Sequence, residues 1–333
     1  MFVVESYGLA IVMLFITMLC WGSWANTQKL ASKKWAFQLF YWDYAIGVLL
    51  LSLVLAFTMG SMGDSGRPFL QDLGQATTTV IGLALLGGVI FNLSNILLVA
   101  AIDVAGMSLA FPVGVGLALV IGVITNYIAT PLGDAVTLFL GVALVVAAII
   151  VDAMAYKRLP GVKKATTQGL ILSVAAGVIM GFFYRFVAAS MSVDFVNLTP
   201  GKLSPYTALV IFSVGVLLSN FIWNTIFMKK PISGDPVSYA DYFNQGDAKL
   251  HAIGILGGAI WGLGMAFSII TAGAAGFAIS YGLGQGATLI GAFWGVFIWK
   301  EFKDAPEGTN KLLTAMFVLY FVGLALIIYA RVA

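Results

Sequence analysis

Histidine and cysteine are nearly absent: His251 and Cys20 are the only ones in 333 residues. One cysteine excludes an intramolecular disulfide framework and a thiolate metal cluster. One histidine leaves no basis for a histidine-built metal site and weighs against a Ser-His-Asp triad. Charge is scarce as well, at 9% of residues, whereas a soluble domain carries about a quarter. So few charges cannot clothe a water-facing surface. No G-x-x-x-x-G-K-[ST] sequence occurs, so direct nucleotide driving has no support. No convergent nucleophile, acid/base or metal set stands out, which argues against an intramembrane enzyme. Nucleic acid is not an expected partner, and no cofactor is expected.

What the chain has instead is apolar sequence. Hydrophobic residues make up 61% and the mean hydropathy is +1.01. A bilayer core of roughly 30 Å takes about 20 apolar residues per helix. Ten such spans are expected, at approximately 7–28, 36–60, 79–101, 106–128, 134–156, 167–190, 206–228, 250–272, 275–299 and 312–331. Period-two alternation is missing, so these are helices that satisfy their own backbone hydrogen bonds. The fold class is an all-α integral membrane protein. The first span lacks a basic leader and a small-residue cleavage site, and reads as a retained helix.

Thirteen lysines and arginines, from Lys29 and Lys33 through Lys163 and Lys164 to Lys311, fall on the odd-numbered connections. Only Arg67, Lys202 and Arg331 fall on the other side, and Arg185 lies within a span. This asymmetry predicts a multi-pass plasma-membrane protein with both termini outside.

An internal repeat divides the ten spans into fives. Residues 85–119 align without a gap on 255–289 at an offset of 170, matching Gly87-Gly88 with Gly257-Gly258 and Gly106 with Gly276. A weaker match pairs Gly47 with Gly215. Five is odd, so residues 161–333 enter the membrane in the opposite sense to residues 1–160. Two inverted five-helix repeats are the construction of many alternating-access transporters, with the site near the midplane. Equivalent Gly/Pro-loosened stretches, 111–116 and 280–286, mark where gates are expected.

Val4-Glu5-Ser6, Trp21-Gly22-Ser23-Trp24, Trp42-Asp43-Tyr44, Tyr281-Gly-Leu-Gly-Gln285-Gly and Trp294-Gly-Val-Phe-Ile-Trp299-Lys300-Glu301 together resemble a known group. It comprises the ureide permease, glucose/ribose porter and rhamnose–proton symporter families of the drug/metabolite transporter superfamily. The resemblance covers essentially the whole chain and implies proton-coupled uptake of a monosaccharide or a ureide such as allantoin. An exporter on the same scaffold is the alternative within transport. The long central loop of plant ureide permeases has no counterpart here.

Individual residues are weighed against that expectation. Asp43, early in the second span, is the candidate proton-coupling group, its rival role being an interfacial charge in an aromatic belt with Trp35, Tyr41, Trp42 and Tyr44. Asn92, Asn95, Asn220 and Gln285 are candidates for gripping a polar solute, because the repeat partners of Asn92, Asn95 and Gln285 are Gly262, Met265 and Val115. Asn224 shares the seventh span with Asn220. Trp21, Trp24 and Tyr281 offer flat walls with polar handles. Glu5 and Arg185 lie at similar depth and are a candidate outer ion pair. His251, beside Lys249, reads as interfacial, and Asp103 and Asp152 as solvated caps. The expected partners are a small solute and the bilayer, with the chain a monomer or weak homodimer.

Overall fold

The computed structural model describes residues 1–32, 34–161, 166–232 and 234–333. Lys33, Lys163 and Lys164 of the charge count lie outside the described residues. The described chain is helical and holds ten helices long and apolar enough to cross a membrane. In order they are Tyr7–Ala31, Phe37–Phe57, Thr78–Ala105, Pro112–Ala129, Ala135–Tyr156, Thr167–Ser190, Pro205–Lys229, Ala248–Ile270, Phe277–Ile298 and Thr309–Tyr329, called here the first to tenth spans. Short helices Phe69–Gln75 and Tyr239–Gln245 sit in the second-to-third and seventh-to-eighth connections.

Polar residues at the entries start the spans. Ser6, Asp134, Thr166, Ser204 and Asp247 each accept a hydrogen bond from a first-turn backbone N–H, satisfying donors that would otherwise be orphaned. Pro205 follows Ser204 at the first helical position, where its missing N–H costs nothing. Gly106 ends the third span and Gly276, after the short helix Ala272–Ala275, precedes the ninth, with φ of 76° and 90°. Both combine positive φ with an extended ψ, a region held almost entirely by glycine and costing a side chain roughly 1–3 kcal/mol, so glycine is required at both turns.

The loosened stretches depart from regular α-helix. Phe111–Val115 is π-helical, and Pro112 within it has no N–H to give. The ninth span breaks at Gln285-Gly286 and ends in a second π-helical turn, Trp294–Ile298. Inserted π turns recur at functional sites.

Packing follows the small residues. A Cβ on Gly88 would fall on the Phe212 carbonyl, and one on Gly258 on the Tyr44 carbonyl; Gly215 meets Leu85 and Gly47 meets Ile255 in the same way. The third span therefore crosses the seventh as the eighth crosses the second. Further packed pairs are third with sixth and eighth with first, then fourth with sixth and ninth with first. The second packs on the seventh, the fourth on the ninth and the fifth on the tenth. Exchanging each span with the one five places along maps this set of pairs onto itself.

Candidate functional site

Asp43 lies in the second turn of the second span and is 2% exposed. Gly254 on the eighth span allows the approach: a Cβ there would stand 2.5 Å from the Asp43 Cβ. The Tyr242 hydroxyl donates to Asp43 Oδ1 at 2.5 Å. His251 Nδ1 lies 2.8 Å from Asp43 Oδ2, so one proton is shared between the ring nitrogen and the carboxyl oxygen. Trp35 closes the group, edge-on to His251 at 4.9 Å and stacked on Tyr242 at 5.6 Å. His251, read from the sequence as interfacial, keeps 28% of its side chain exposed yet pairs with Asp43. One expectation is corrected here. Trp35, Tyr41, Trp42 and Tyr44 are all buried and face into the bundle rather than forming a belt at the lipid boundary.

The short helix Tyr239–Gln245 carries Tyr242 over this site. Ser238 caps it, accepting from Asp241 N while the Asp241 carboxylate accepts from the Ser238 N–H and hydroxyl. The Ser238 hydroxyl, its backbone N–H and Gln245 hold the Asp241 carboxyl below the usual carboxylate range. Burial, with the Asp43 carboxylate as acceptor, pushes the Tyr242 phenol up, so Tyr242 stays a donor at physiological pH. With Asp43 held by both Tyr242 and His251, gain or loss of one proton changes the charge of the whole group.

Toward the middle of the bundle the asparagines meet. Asn92 donates to Ser219 Oγ at 2.9 Å, to the Val216 carbonyl at 3.2 Å and to Asn220 Oδ1 at 3.4 Å. Asn220 donates to the Tyr41 carbonyl at 3.4 Å, and Asn95 to the Tyr41 hydroxyl at 3.0 Å. Asn224 donates to the Gln38 carbonyl at 2.8 Å. Among the described residues, Asn92 Oδ1, Asn224 Oδ1 and the Tyr44 hydroxyl are buried without a partner. Such groups are uncommon and costly.

Aromatic rings fill the space beside them. Phe91 and Trp261, equivalent positions of the repeat, stack on each other at 4.3 Å and 29°. Trp21 stacks on Trp261 at 5.8 Å and donates its indole N–H to the Trp261 carbonyl at 3.2 Å. Trp24 packs on Tyr44 at 4.9 Å, and Tyr44 lies 6.2 Å from Trp261 and 5.0 Å from Tyr41. Trp21 and Trp24 thus belong to one aromatic cluster with Tyr41 and Tyr44, which the sequence offered only as belt residues, and with Trp261, which it did not single out. Phe183 links Phe91 at 5.2 Å to Tyr281 at 6.2 Å.

Tyr281 lies beyond the aromatic pair. It packs over Gly122 and donates to the Ala118 carbonyl at 3.1 Å. Gln285 is 8% exposed at the break in the ninth span, beside Gly284 and the Trp21 ring. Among the described residues neither makes a hydrogen bond to the asparagine network. Glu5 and Arg185 are not brought together: among the described residues the ion pairs are Lys29–Glu301, Arg67–Asp72 and His251–Asp43. Glu5 is exposed and Arg185 half-buried. Asp103 is exposed, but Asp152 is only 7% exposed and is no solvated cap.

A cavity lies at each end of the bundle with this packed middle between them. One of about 230 Å³, at the lysine-rich end, is lined by Phe37, Gln38, Ile96, Ala100, Asp103 and Phe227. Gln38 in its lining accepts from Asn224 through its carbonyl, which puts that asparagine next to the cavity. The other, of about 300 Å³, is lined by Ala129, Leu132, Val193, Ala272, Gly276 and Phe277. At that second, lysine-poor end Arg67 pairs with fully buried Asp72 at 2.9 Å and donates to the carbonyls of Leu198 and Lys202. The second-to-third and sixth-to-seventh connections are stitched together there.

Comparison with known proteins gives a consistent answer. Ureide permease 1 of Arabidopsis thaliana is 24% identical, with 98% of each chain covered. Ureide permease 2 of the same plant is 25% identical over the same shares. Probable ureide permease A3 of Vigna unguiculata is 24% identical over 92% of this chain and 99% of its own length. A protein crystal structure, 17% identical, superposes with a TM-score of 0.60 over 98% of this chain and 99% of the other, a likeness of fold. The family model for ureide permease matches residues 40–158 and 156–330. This multi-pass membrane protein is a transporter, not an enzyme, and belongs to the ureide permease family.

Proposed function

We propose that the protein is a secondary active transporter that takes up a small, neutral, N–H-rich solute of the ureide type together with protons, by alternating access. The observation that carries this reading is the buried Asp43 carboxyl held by Tyr242 and His251. One proton is shared between Asp43 and His251, and the lid over them lies in a connection rather than a span. A change of protonation there can therefore bias which end of the bundle opens.

The mid-bundle chemistry favours the solute class. Ureides present several N–H donors and carbonyl acceptors on a small flat frame. The unfilled Asn92 and Asn224 carbonyl oxygens are acceptors for such donors, and the Tyr44 hydroxyl is a donor for a carbonyl. Trp21, Trp24, Tyr44 and Trp261 supply flat faces. Halves 1–160 and 161–333 act as inverted repeats that rock about the Phe91–Trp261 contact, a motion supported by the exchange symmetry of the packed pairs. The lysine-rich end faces the cytoplasm and both termini lie outside, as the positive-inside rule directs.

Uptake of labelled allantoin, glucose, ribose and rhamnose into proteoliposomes tests the class. Allantoin is taken up in preference to the sugars, and Asn92→Leu lowers its uptake more than it lowers protein yield. Preference for a sugar overturns the ureide assignment.

A further inference from the structure

A second buried acid stands apart from the Asp43 group. Asp152 lies near the end of the fifth span, 7% exposed, and its Oδ1 has no hydrogen-bond partner among the described residues. Three titratable groups surround it. Tyr156, on its own span, donates instead to Glu301 Oε2 at 2.9 Å. Glu301, just beyond the ninth span, is a like charge that repels it. Tyr320, on the tenth span that packs against the fifth, is 0% exposed, and its hydroxyl has no hydrogen-bond partner among the described residues. The segment 107–115, which also packs on the fifth span, contributes no titratable side chain. Lys29 is engaged elsewhere, bound to Glu301 at 3.0 Å and seated 4.0 Å over the Trp299 ring.

A buried carboxylate that lacks a donor and faces a like charge is costly to hold. Binding a cation or a proton relieves that cost. A hard metal ion takes about six or more oxygen ligands, and no group of three or more acidic, histidine or cysteine side chains occurs among the described residues. The proton is the occupant this environment fits.

We propose that Asp152 is a second proton-binding site, buried between the fifth and tenth spans and separate from the Asp43–His251 pair. Its use in transport rests on the proton-coupled reading above. The π-helical turn Trp294–Ile298 adjoins it, since a Cβ on Gly295 would stand 2.6 Å from the Tyr156 hydroxyl and 3.0 Å from Glu301 Oε2. Movement of the ninth span therefore moves Glu301 relative to Asp152 and changes the hold on that proton.

Infrared difference spectroscopy of the full protein in lipid reads this directly through the C=O stretch of protonated carboxyls. The expected result at neutral pH is a band that Asp152→Asn removes and Asp43→Asn leaves. Glu301→Gln, which removes the repelling charge, changes the pH at which the band disappears. A spectrum unchanged in folded Asp152→Asn overturns the site. Should that variant not fold, a band whose titration ignores Glu301→Gln overturns it. Absence of the band with proton-driven uptake intact sinks this site alone. The band without proton-driven uptake sinks the transport reading and leaves the site.

Discussion

Asp43 and His251 stand 208 positions apart in sequence and 2.8 Å apart in space, with Tyr242 donating to the other carboxyl oxygen at 2.5 Å. The contact ties the second span to the eighth at the lysine-rich end, and the Tyr242 bond pins a connection across the same point. The packing of that end and the contacts of one buried carboxyl are thus one structural fact.

Tyr242→Phe keeps the ring stacked on Trp35 but removes the hydroxyl. A hydrogen bond to a charged group contributes about 1.5–3 kcal/mol, so losing it shifts the access equilibrium toward opening by about 10- to 100-fold. The readout is labelling of a cysteine at Ile96, which lines the lysine-rich cavity, in a Cys20→Ala background. Faster labelling is expected in Tyr242→Phe, and an unchanged rate removes the lid role.

The capping box makes the lid sensitive to acid. The Asp241 pKa is depressed in the folded helix, so its stabilisation is present above the unfolded carboxylate range and is lost as pH falls through the folded value. Acidification through that range should raise hydrogen exchange across residues 239–245. Ser238→Ala should show the raised exchange already at neutral pH, with little further change on acidification.

Gly88 and Gly258 should respond alike. Alanine at either meets a backbone carbonyl, which cannot give as a flexible side chain can. Overpacking costs about 1–3 kcal/mol, so both variants should melt at lower temperature in detergent. Gly82, with nothing within 4 Å of a Cβ, is the control and should tolerate alanine. Unequal losses at Gly88 and Gly258 would tell against the equivalence of the two crossings.

Much of this was legible in the sequence, for identifiable reasons. Hydropathy and turn residues located the ten spans because the bilayer sets their length. Asp43 stood out because a carboxylate in apolar sequence has few uses. Its partners did not stand out. Lys249 beside His251 suggested an interface, and local sequence cannot reveal that the seventh-to-eighth connection folds back over the second span. Gly246 and Gly254 flank His251, and both make room at this site; that was the available signal. Glu5 and Arg185 share a depth, but depth says nothing about which way each faces around its helix. Asp152 looked like a cap because it sits near a helix end, whereas the tenth span packs along the whole fifth and covers it.

The most direct measurement is accumulation of labelled allantoin in proteoliposomes under an inward proton gradient, for the wild type and Asp43→Asn. One pH unit is worth about 1.4 kcal/mol, so one proton per solute supports up to about tenfold accumulation for each unit. The account predicts that the wild type accumulates and that Asp43→Asn exchanges solute without accumulating it. Undiminished gradient-driven accumulation in Asp43→Asn would contradict it.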